Sequence, residues 1–151
     1  MKTPTIKLLA TFFYIGKFPF APGTMASLAG AFLCIIFHQT PVLYALIFAA
    51  VTALGFLISG PMEDILQEKD PSSVVIDEVS GVMIAFFLLP MKIPVLITAF
   101  FLFRAFDMFK LYPINKFEEL PGGIGIMMDD VIAGLYTFVT MQVALRIAGL
   151  I

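Results

Sequence analysis

Hydrophobic residues occur along this chain in long runs separated by short polar stretches. The longest run covers residues 18–62, 45 positions without a single Asp, Glu, Lys or Arg. A helix needs about 20 apolar residues to cross the hydrocarbon core of a bilayer, so this run is long enough for two crossings. Pro41 interrupts it, because proline lacks an N–H and disfavours helix in the preceding residue. The run therefore predicts a helical hairpin with segments at about 24–38 and 42–59.

Beyond this hairpin, polar stretches and apolar segments alternate. The stretch 60–73 carries five charged residues and two prolines, and it predicts a short solvated helix between two turns. Apolar segments at about 74–89 and 95–109 flank a proline-containing turn and predict a second hairpin. A last apolar segment, at about 127–149, follows a polar, glycine-rich stretch.

These elements predict an all-α fold, a compact multi-pass membrane bundle of about four to five apolar helices in two hairpins plus a C-terminal helix. Lys2, Lys7 and the apolar residues 8–16 predict an interfacial helix before the first segment. The chain is 60% hydrophobic and 13% charged, whereas soluble domains are roughly 45–50% apolar and about 25% charged. A soluble protein of 151 residues has too little interior for such an excess, so we expect one membrane domain over 1–151.

The charges exclude some partners and indicate an orientation. Nine Lys and Arg against eleven Asp and Glu give a net charge of −2, without a basic cluster for nucleic acid. Lys and Arg are retained in cytosolic loops, and an N-terminus inside the cell leaves only Lys92 and Arg146 in outer loops. The lysines then on the cytosolic side are Lys2, Lys7, Lys17, Lys69, Lys110 and Lys116.

The acidic residues fall into two groups. Six lie in polar loops, where solvation of the surface is the simplest interpretation: Glu63, Asp64, Glu68, Asp70, Glu118 and Glu119. The other five adjoin or interrupt apolar segments: Asp77, Glu78, Asp107, Asp129 and Asp130. An ionised carboxylate beside hydrocarbon is costly unless it is paired or binds a cation, so these five are candidate functional residues. The predicted topology brings them to one cytosolic face; the alternative is that they mark the membrane boundary and pair with lysines.

Two cations accompany these acids. Arg104, Asp107 and Lys110 are spaced i, i+3, i+6 and share one face of a helix. This spacing suits either an internal chain of salt bridges or a phosphate site in which Asp107 orients the cations or holds a metal. A cluster of oxygen ligands without His or Cys favours Mg²⁺ or a similar ion over zinc.

Glycines and hydroxyl groups offer a weaker signal for anion binding. Gly23 and the glycines at 122–125 precede predicted helices, whose first N–H groups can bind an anion, although glycine in plain turns explains them as well. Thr24 and Ser27 are either a helix cap and a packing contact or phosphate-binding hydroxyls.

Four segments carry a resemblance to a known family. They are residues 16–24 (GKFPFAPGT) with Ser27, 75–79 (VIDEV) with Gly81, 103–107 (FRAFD) with Lys110 and Pro113, and 122–131 (GGIGIMMDDV) with Ala133 and Gly134. In order and spacing, the chain resembles the phosphatidylglycerophosphatase A family.

The resemblance implies a Mg²⁺-dependent phosphatase of the bacterial inner membrane that converts phosphatidylglycerophosphate to phosphatidylglycerol and inorganic phosphate at a cytosolic active site. It implies catalytic roles for Asp77, Asp129 and Asp130, and phosphate binding by Arg104, Lys110, Thr24 and Ser27. The expected metal ligands are Asp77, Glu78, Asp107, Asp129 and Asp130. The competing hypothesis is a small ion or solute carrier, which predicts acids at mid-depth in several helices, whereas here they lie at helix ends. A purely structural subunit would leave the five acids unexplained.

Overall fold

The computed structural model describes all 151 residues and contains seven α-helices and no strands. The predicted all-α bundle is confirmed. The helices are α1 (Thr3–Ala10), α2 (Pro22–Phe37), α3 (Pro41–Leu66), α4 (Ile76–Ala85), α5 (Ile93–Phe109), α6 (Ile114–Glu118) and α7 (Gly123–Ile147). The predicted N-terminal helix is α1, which ends at Ala10, before most of the apolar residues 8–16. A single turn of 3-10 helix covers Ile15–Lys17.

Proline and left-handed residues define several helix ends. α2, α3 and α5 each have a proline in their first two positions, where the missing N–H costs no helical hydrogen bond. α3 is capped by Gln67 (φ 54°) and α5 by Lys110 (φ 44°), and both of these capping residues adopt the left-handed conformation.

The prediction that the second apolar segment ends near residue 59 is wrong. α3 continues through Pro61 to Leu66, so the separate solvated helix expected over 60–73 is the last part of α3 followed by a turn. Met62 of this part and Ile58 just before it belong to one buried apolar cluster with Ile6 and Ala10 of α1. Tertiary packing therefore carries the helix beyond the point where its composition becomes polar.

α4 is the central helix of the bundle and is shorter than the expected segment 74–89. Eight of its ten residues are buried, and it contacts α2, α3, α5 and α7. Ten residues span about 15 Å, roughly half the thickness of a hydrocarbon core. Its most extensive contacts are with α7 and α2.

α4 and α7 cross closely at two glycines. A Cβ atom on Gly134 would overlap the backbone oxygen of Gly81, and a Cβ atom on Gly81 would lie 2.7 Å from the backbone oxygen of Asp130. Small residues allow such helix contacts in membrane proteins. The crossing brings the acidic start of α4 beside the acidic part of α7.

The outer surface of the bundle is strongly apolar. α3 and α7 are each long and apolar enough to cross a membrane, and α2 is a shorter apolar helix. Large apolar side chains such as Phe32, Leu46 and Phe101 are exposed on the outer helices. Contiguous apolar surface of this kind marks contact with lipid or protein.

Candidate active site

Three carboxylates converge where α4 begins. Asp77 and Glu78 lie in the first turn of α4, and Asp130 comes from α7 across the glycine crossing. One carboxylate oxygen of each residue lies within 4.8 Å of the other two. Asp77 is 7% exposed and Asp130 is 3% exposed, while Glu78 is half-buried. We call Asp77, Glu78 and Asp130 the carboxylate triad.

The triad contains three buried oxygen atoms without a hydrogen-bond partner: Asp77 Oδ1, Glu78 Oε2 and Asp130 Oδ1. A buried, unpaired carboxylate oxygen costs free energy that a cation can offset. Oxygen ligands of this kind are those that Mg²⁺ and Ca²⁺ prefer. The arrangement therefore fits a hard divalent cation.

The other two predicted acids are paired with cations. Asp107 forms a salt bridge with Arg104, one turn earlier on α5. Asp129 Oδ2 lies 2.9 Å from Lys110 Nζ, and Asp129 Oδ1 accepts the backbone N–H of Asp130 at 3.0 Å. Neither residue shares the close cluster that the triad forms.

The charges of this region do not balance. The two cations here, Arg104 and Lys110, form their salt bridges with acids outside the triad, and none of the three triad carboxylates has a salt bridge. Because both cations are already paired with Asp107 and Asp129, the triad needs positive charge from elsewhere.

The N-terminal turn of α2 supports Arg104. Ser27 is fully buried, and its hydroxyl donates to the backbone oxygen of Gly23 at 2.8 Å. Arg104 Nη1 lies 3.5 Å from Ser27 Oγ, so α2 and α5 meet at this pair. Thr24 is half-buried in the first turn of α2. The hydroxyl of Ser27 is therefore engaged with the protein itself.

Gly23 contacts the triad directly. A Cβ atom on Gly23 would overlap Glu78 Oε1 and would lie 3.6 Å from Arg104 Nη1. Glycine at this position thus leaves the space that the carboxylate of Glu78 occupies.

The glycines at the start of α7 have packing and turn roles. A Cβ atom on Gly123 would lie 2.7 Å from the backbone nitrogen of Gly60, and one on Gly125 would overlap the backbone oxygen of Leu120. Gly122 adopts φ +60°, which favours glycine. The positive φ of Gly122 agrees with the interpretation of these glycines as turn residues, and the close contacts of Gly123 and Gly125 add a packing role.

Sequence reasoning missed the role of Glu118, which it assigned to solvated surface. Glu118 Oε1 lies 2.7 Å from Lys110 Nζ, so Lys110 bridges Glu118 of α6 and Asp129 of α7. Burial acts to lower the pKa of Lys110, but the hydrogen bonds to Glu118 and Asp129 outweigh it and raise that pKa above its ordinary value. Lys110 therefore stays charged. No spacing signal links residues 110 and 118, since α6 is too short to be read from periodicity.

With this geometry established, comparison with known proteins identifies the family. The profile of phosphatidylglycerophosphatase A matches residues 8–145. The chain belongs to the phosphatidylglycerophosphatase A family. The matched range contains the triad and both ion pairs.

Several relatives are similar over most of their length. A phosphatidylglycerophosphatase A of Haemophilus influenzae is 39% identical over 142 residues, covering 90% of this chain and 86% of the relative. Its counterpart in Escherichia coli is 35% identical over 131 residues, covering 85% of this chain and 76% of the relative. A Bacteroides thetaiotaomicron protein, provisionally named phosphatidylinositol-3-phosphatase, is 38% identical over 160 residues, covering 99% of this chain and all of the relative. No solved structure is significantly similar to this member of the phosphatidylglycerophosphatase A family.

Proposed function

We propose that this protein is a Mg²⁺-dependent membrane phosphatase that hydrolyses phosphatidylglycerophosphate to phosphatidylglycerol and inorganic phosphate. Membership of the family and the names of two relatives support the substrate. The observation that carries the chemistry is the carboxylate triad, with three buried and unpartnered oxygens beside an arginine. A phosphomonoester dianion needs positive charge at its oxygens, which such a site supplies once it holds a cation.

The residues divide into three roles. Asp77, Glu78 and Asp130 hold the Mg²⁺ ion. Asp107 and Asp129, the remaining acids predicted to be ligands, orient Arg104 and Lys110 towards the phosphate. Thr24 lies at the start of α2 within the same region and contributes a hydroxyl to the phosphate, whereas Ser27 supports Arg104.

The reaction requires a water molecule and a proton acceptor. The water oxygen forms a bond to phosphorus, the bond between phosphorus and the lipid oxygen breaks, and the lipid leaves as an alcohol. A carboxylate among Asp77, Asp129 and Asp130 accepts the proton of the water and returns a proton to the lipid oxygen as its bond to phosphorus breaks, so that the lipid leaves as an alcohol and the carboxylate is regenerated. When bound, the cation supplies neutralisation of the phosphate charge. Arg104 adds charge-assisted hydrogen bonds to the phosphate oxygens.

We further propose that the protein crosses the bacterial inner membrane several times with its active site at the cytosolic headgroup level. Support comes from the apolar helices α3 and α7 and from the excess of lysine in the loops that the predicted topology assigns to one side. Single cysteines in place of Lys17, Lys69 and Lys116 test this orientation. Cys34 is buried and gives little background. Labelling in intact cells by an impermeant reagent would indicate the opposite orientation, whereas labelling only after lysis would support the proposed one.

The experiment that tests the activity is phosphate release from phosphatidylglycerophosphate by the purified protein in detergent micelles. We expect release with Mg²⁺, loss of release with EDTA, and recovery after Mg²⁺ is restored. Turnover that persists in EDTA after exhaustive dialysis would contradict the metal site. A complete absence of release under all conditions would contradict the phosphatase itself.

A second candidate substrate is phosphatidylinositol 3-phosphate, because one relative that aligns with nearly the whole chain carries that provisional name. Both lipids present a phosphomonoester on the headgroup of a glycerophospholipid, so the same triad and arginine serve either. Parallel assays with the two lipids at equal surface fraction separate them. We expect the larger kcat/KM for phosphatidylglycerophosphate, and the reverse order would assign the protein to the inositol lipid.

A further inference from the structure

An apolar groove runs along the outside of the bundle between α2 and α5. It has a volume of about 300 Å³ and is open to the surroundings of the protein. Its walls are Leu28, Ala31 and Ile35 of α2 and Ile97, Phe100 and Phe101 of α5, and Phe86, which follows α4, also lines it. We call it the α2/α5 groove.

The groove lies next to the candidate active site along both of its helices. Ser27 lies one turn before Ala31 on the same face of α2, and Arg104 lies one turn after Phe100 on the same face of α5. Arg104 Nη1 and Ser27 Oγ lie 3.5 Å apart, so the two walls meet at the arginine. The end of the groove at Leu28 and Phe100 therefore lies about one helical turn from Arg104, the arginine beside the triad, and the groove itself is lined entirely by apolar side chains.

The dimensions suit a lipid chain. From Leu28 to Ile35 the groove follows about two turns of α2, roughly 10 Å, which is about two thirds of the roughly 15 Å depth of one leaflet's hydrocarbon. A diacyl phospholipid has the same sequence of features, with a charged phosphate followed by a hydrocarbon chain.

We propose that the α2/α5 groove binds one acyl chain of the phospholipid substrate and so places its headgroup phosphate at Arg104 and the triad. This inference rests on the proposed function for the identity of the headgroup. Because the surrounding lipid tails are as apolar as the groove, burial of the acyl chain in the groove adds little binding affinity. The expected role of the groove is therefore to orient the lipid.

A second groove provides a matched comparison. It lies between α3, α4 and α7, also has a volume of about 300 Å³, and is lined by apolar residues that include Ala45, Ile84, Leu135 and Phe138. On α7, Gly134 lies between Asp130 and Phe138 on the same helix face, and its contact with Gly81 separates this groove from the triad. We expect this second groove to hold no substrate chain.

Tryptophan substitutions fill one groove at a time. Ile97 is 52% exposed and Leu135 is 44% exposed, so Ile97→Trp and Leu135→Trp each enlarge a side chain outside the core. The substrates are dioleoyl phosphatidylglycerophosphate in mixed micelles and its water-soluble headgroup without acyl chains. We expect Ile97→Trp to lower kcat/KM for the diacyl lipid by about 10- to 100-fold through misplacement of the phosphate, and to leave the chainless substrate within about twofold. Leu135→Trp should change neither value.

Photocrosslinking tests the groove without relying on turnover. Phosphatidylglycerophosphate with a diazirine in mid-chain should label peptides of α2 and α5, and excess unlabelled substrate should compete where phosphatidylcholine does not. Equal labelling of both grooves, or equal loss of activity in both tryptophan variants, would overturn the inference and describe ordinary boundary lipid. Specific labelling without any phosphate release would support acyl-chain binding in the groove but contradict the proposed phosphatase function.

Discussion

The acids of this bundle occupy two neighbouring regions that differ in one respect. In the triad of Asp77, Glu78 and Asp130, three buried oxygens have no partner. At the end of α5, by contrast, Asp107 and Asp129 each hold a cation of the same chain. Each acid of the second region has a cation partner within the protein, whereas the acids of the triad gain one only when positive charge is added.

This difference assigns metal binding to the triad and the orientation of Arg104 and Lys110 to the ion-paired acids. Substitutions in the triad should act on the metal requirement, whereas substitutions among the ion pairs should act on the substrate phosphate. Measuring activity against Mg²⁺ concentration and against substrate concentration therefore distinguishes the two regions.

Asp77→Asn and Asp130→Asn should each lower turnover by more than about 100-fold, since even the outer partners of metal ligands cost 10- to 100-fold. In EDTA, each variant should also unfold at a higher temperature than the wild type, because one of three crowded like charges is gone. Thermal unfolding in detergent with and without Mg²⁺ measures this.

Asp64→Asn, at an exposed position late in α3, is the matched control and should leave both turnover and unfolding unchanged. Near-normal turnover of Asp77→Asn and Asp130→Asn at saturating Mg²⁺ would contradict their role as metal ligands. The triad would then not differ in function from the ion-paired acids.

Gly23→Ala should raise the Mg²⁺ concentration needed for half-activity by about 10- to 100-fold while the protein remains folded. The added methyl group overlaps only the end of the flexible Glu78 side chain, which can move away and leave the triad. Gly81→Ala offers a contrast, because its methyl group would lie 2.7 Å from both the backbone oxygen of Asp130 and the Phe103 ring. We expect that variant to lose stability. An unchanged Mg²⁺ requirement in Gly23→Ala would mean that Glu78 is not a ligand.

Arg104→Lys should lower kcat/KM about 10-fold and leave the Mg²⁺ requirement within about twofold. Lysine keeps the charge but loses the planar fork that can contact Asp107 and a phosphate together, and a charge-assisted hydrogen bond is worth about 1.5–3 kcal/mol. Steady-state kinetics at fixed micelle concentration provide the measurement. A variant with wild-type kinetics would reduce Arg104 to a charge-balancing role within the protein.

The class of protein, an apolar helical bundle, could be predicted from the sequence because it follows from composition. The five candidate acids could be predicted because each lies beside or within an apolar run. Which acids stay unpaired could not be predicted. The distinction between Asp77 and Asp129 arises from the contact of Lys110 with Asp129 across α5 and α7, which no spacing encodes. The extension of α3 to Leu66 likewise depends on packing of Met62 against α1. Pairwise contacts between distant elements thus decide what local patterns leave open.

The smallest expected effect concerns Glu118, the acid that sequence patterns assign to solvated surface. Glu118→Gln removes one of two partners of Lys110 and leaves the contact with Asp129, so Lys110 remains held at 2.9 Å. The side chain of Glu118 is 41% exposed, and exposed ion pairs are worth roughly 0–1 kcal/mol, so we expect at most a fivefold loss of kcat/KM. The loss should shrink as salt is added, because solvent-exposed charges are screened. Glu119→Gln, which breaks a 3.6 Å pair with Lys116 between two exposed side chains, is the control and should show no loss. A loss in Glu118→Gln as large as that in Asp130→Asn would place Glu118 with the triad and would erase the boundary between the metal-binding region and the ion-paired region.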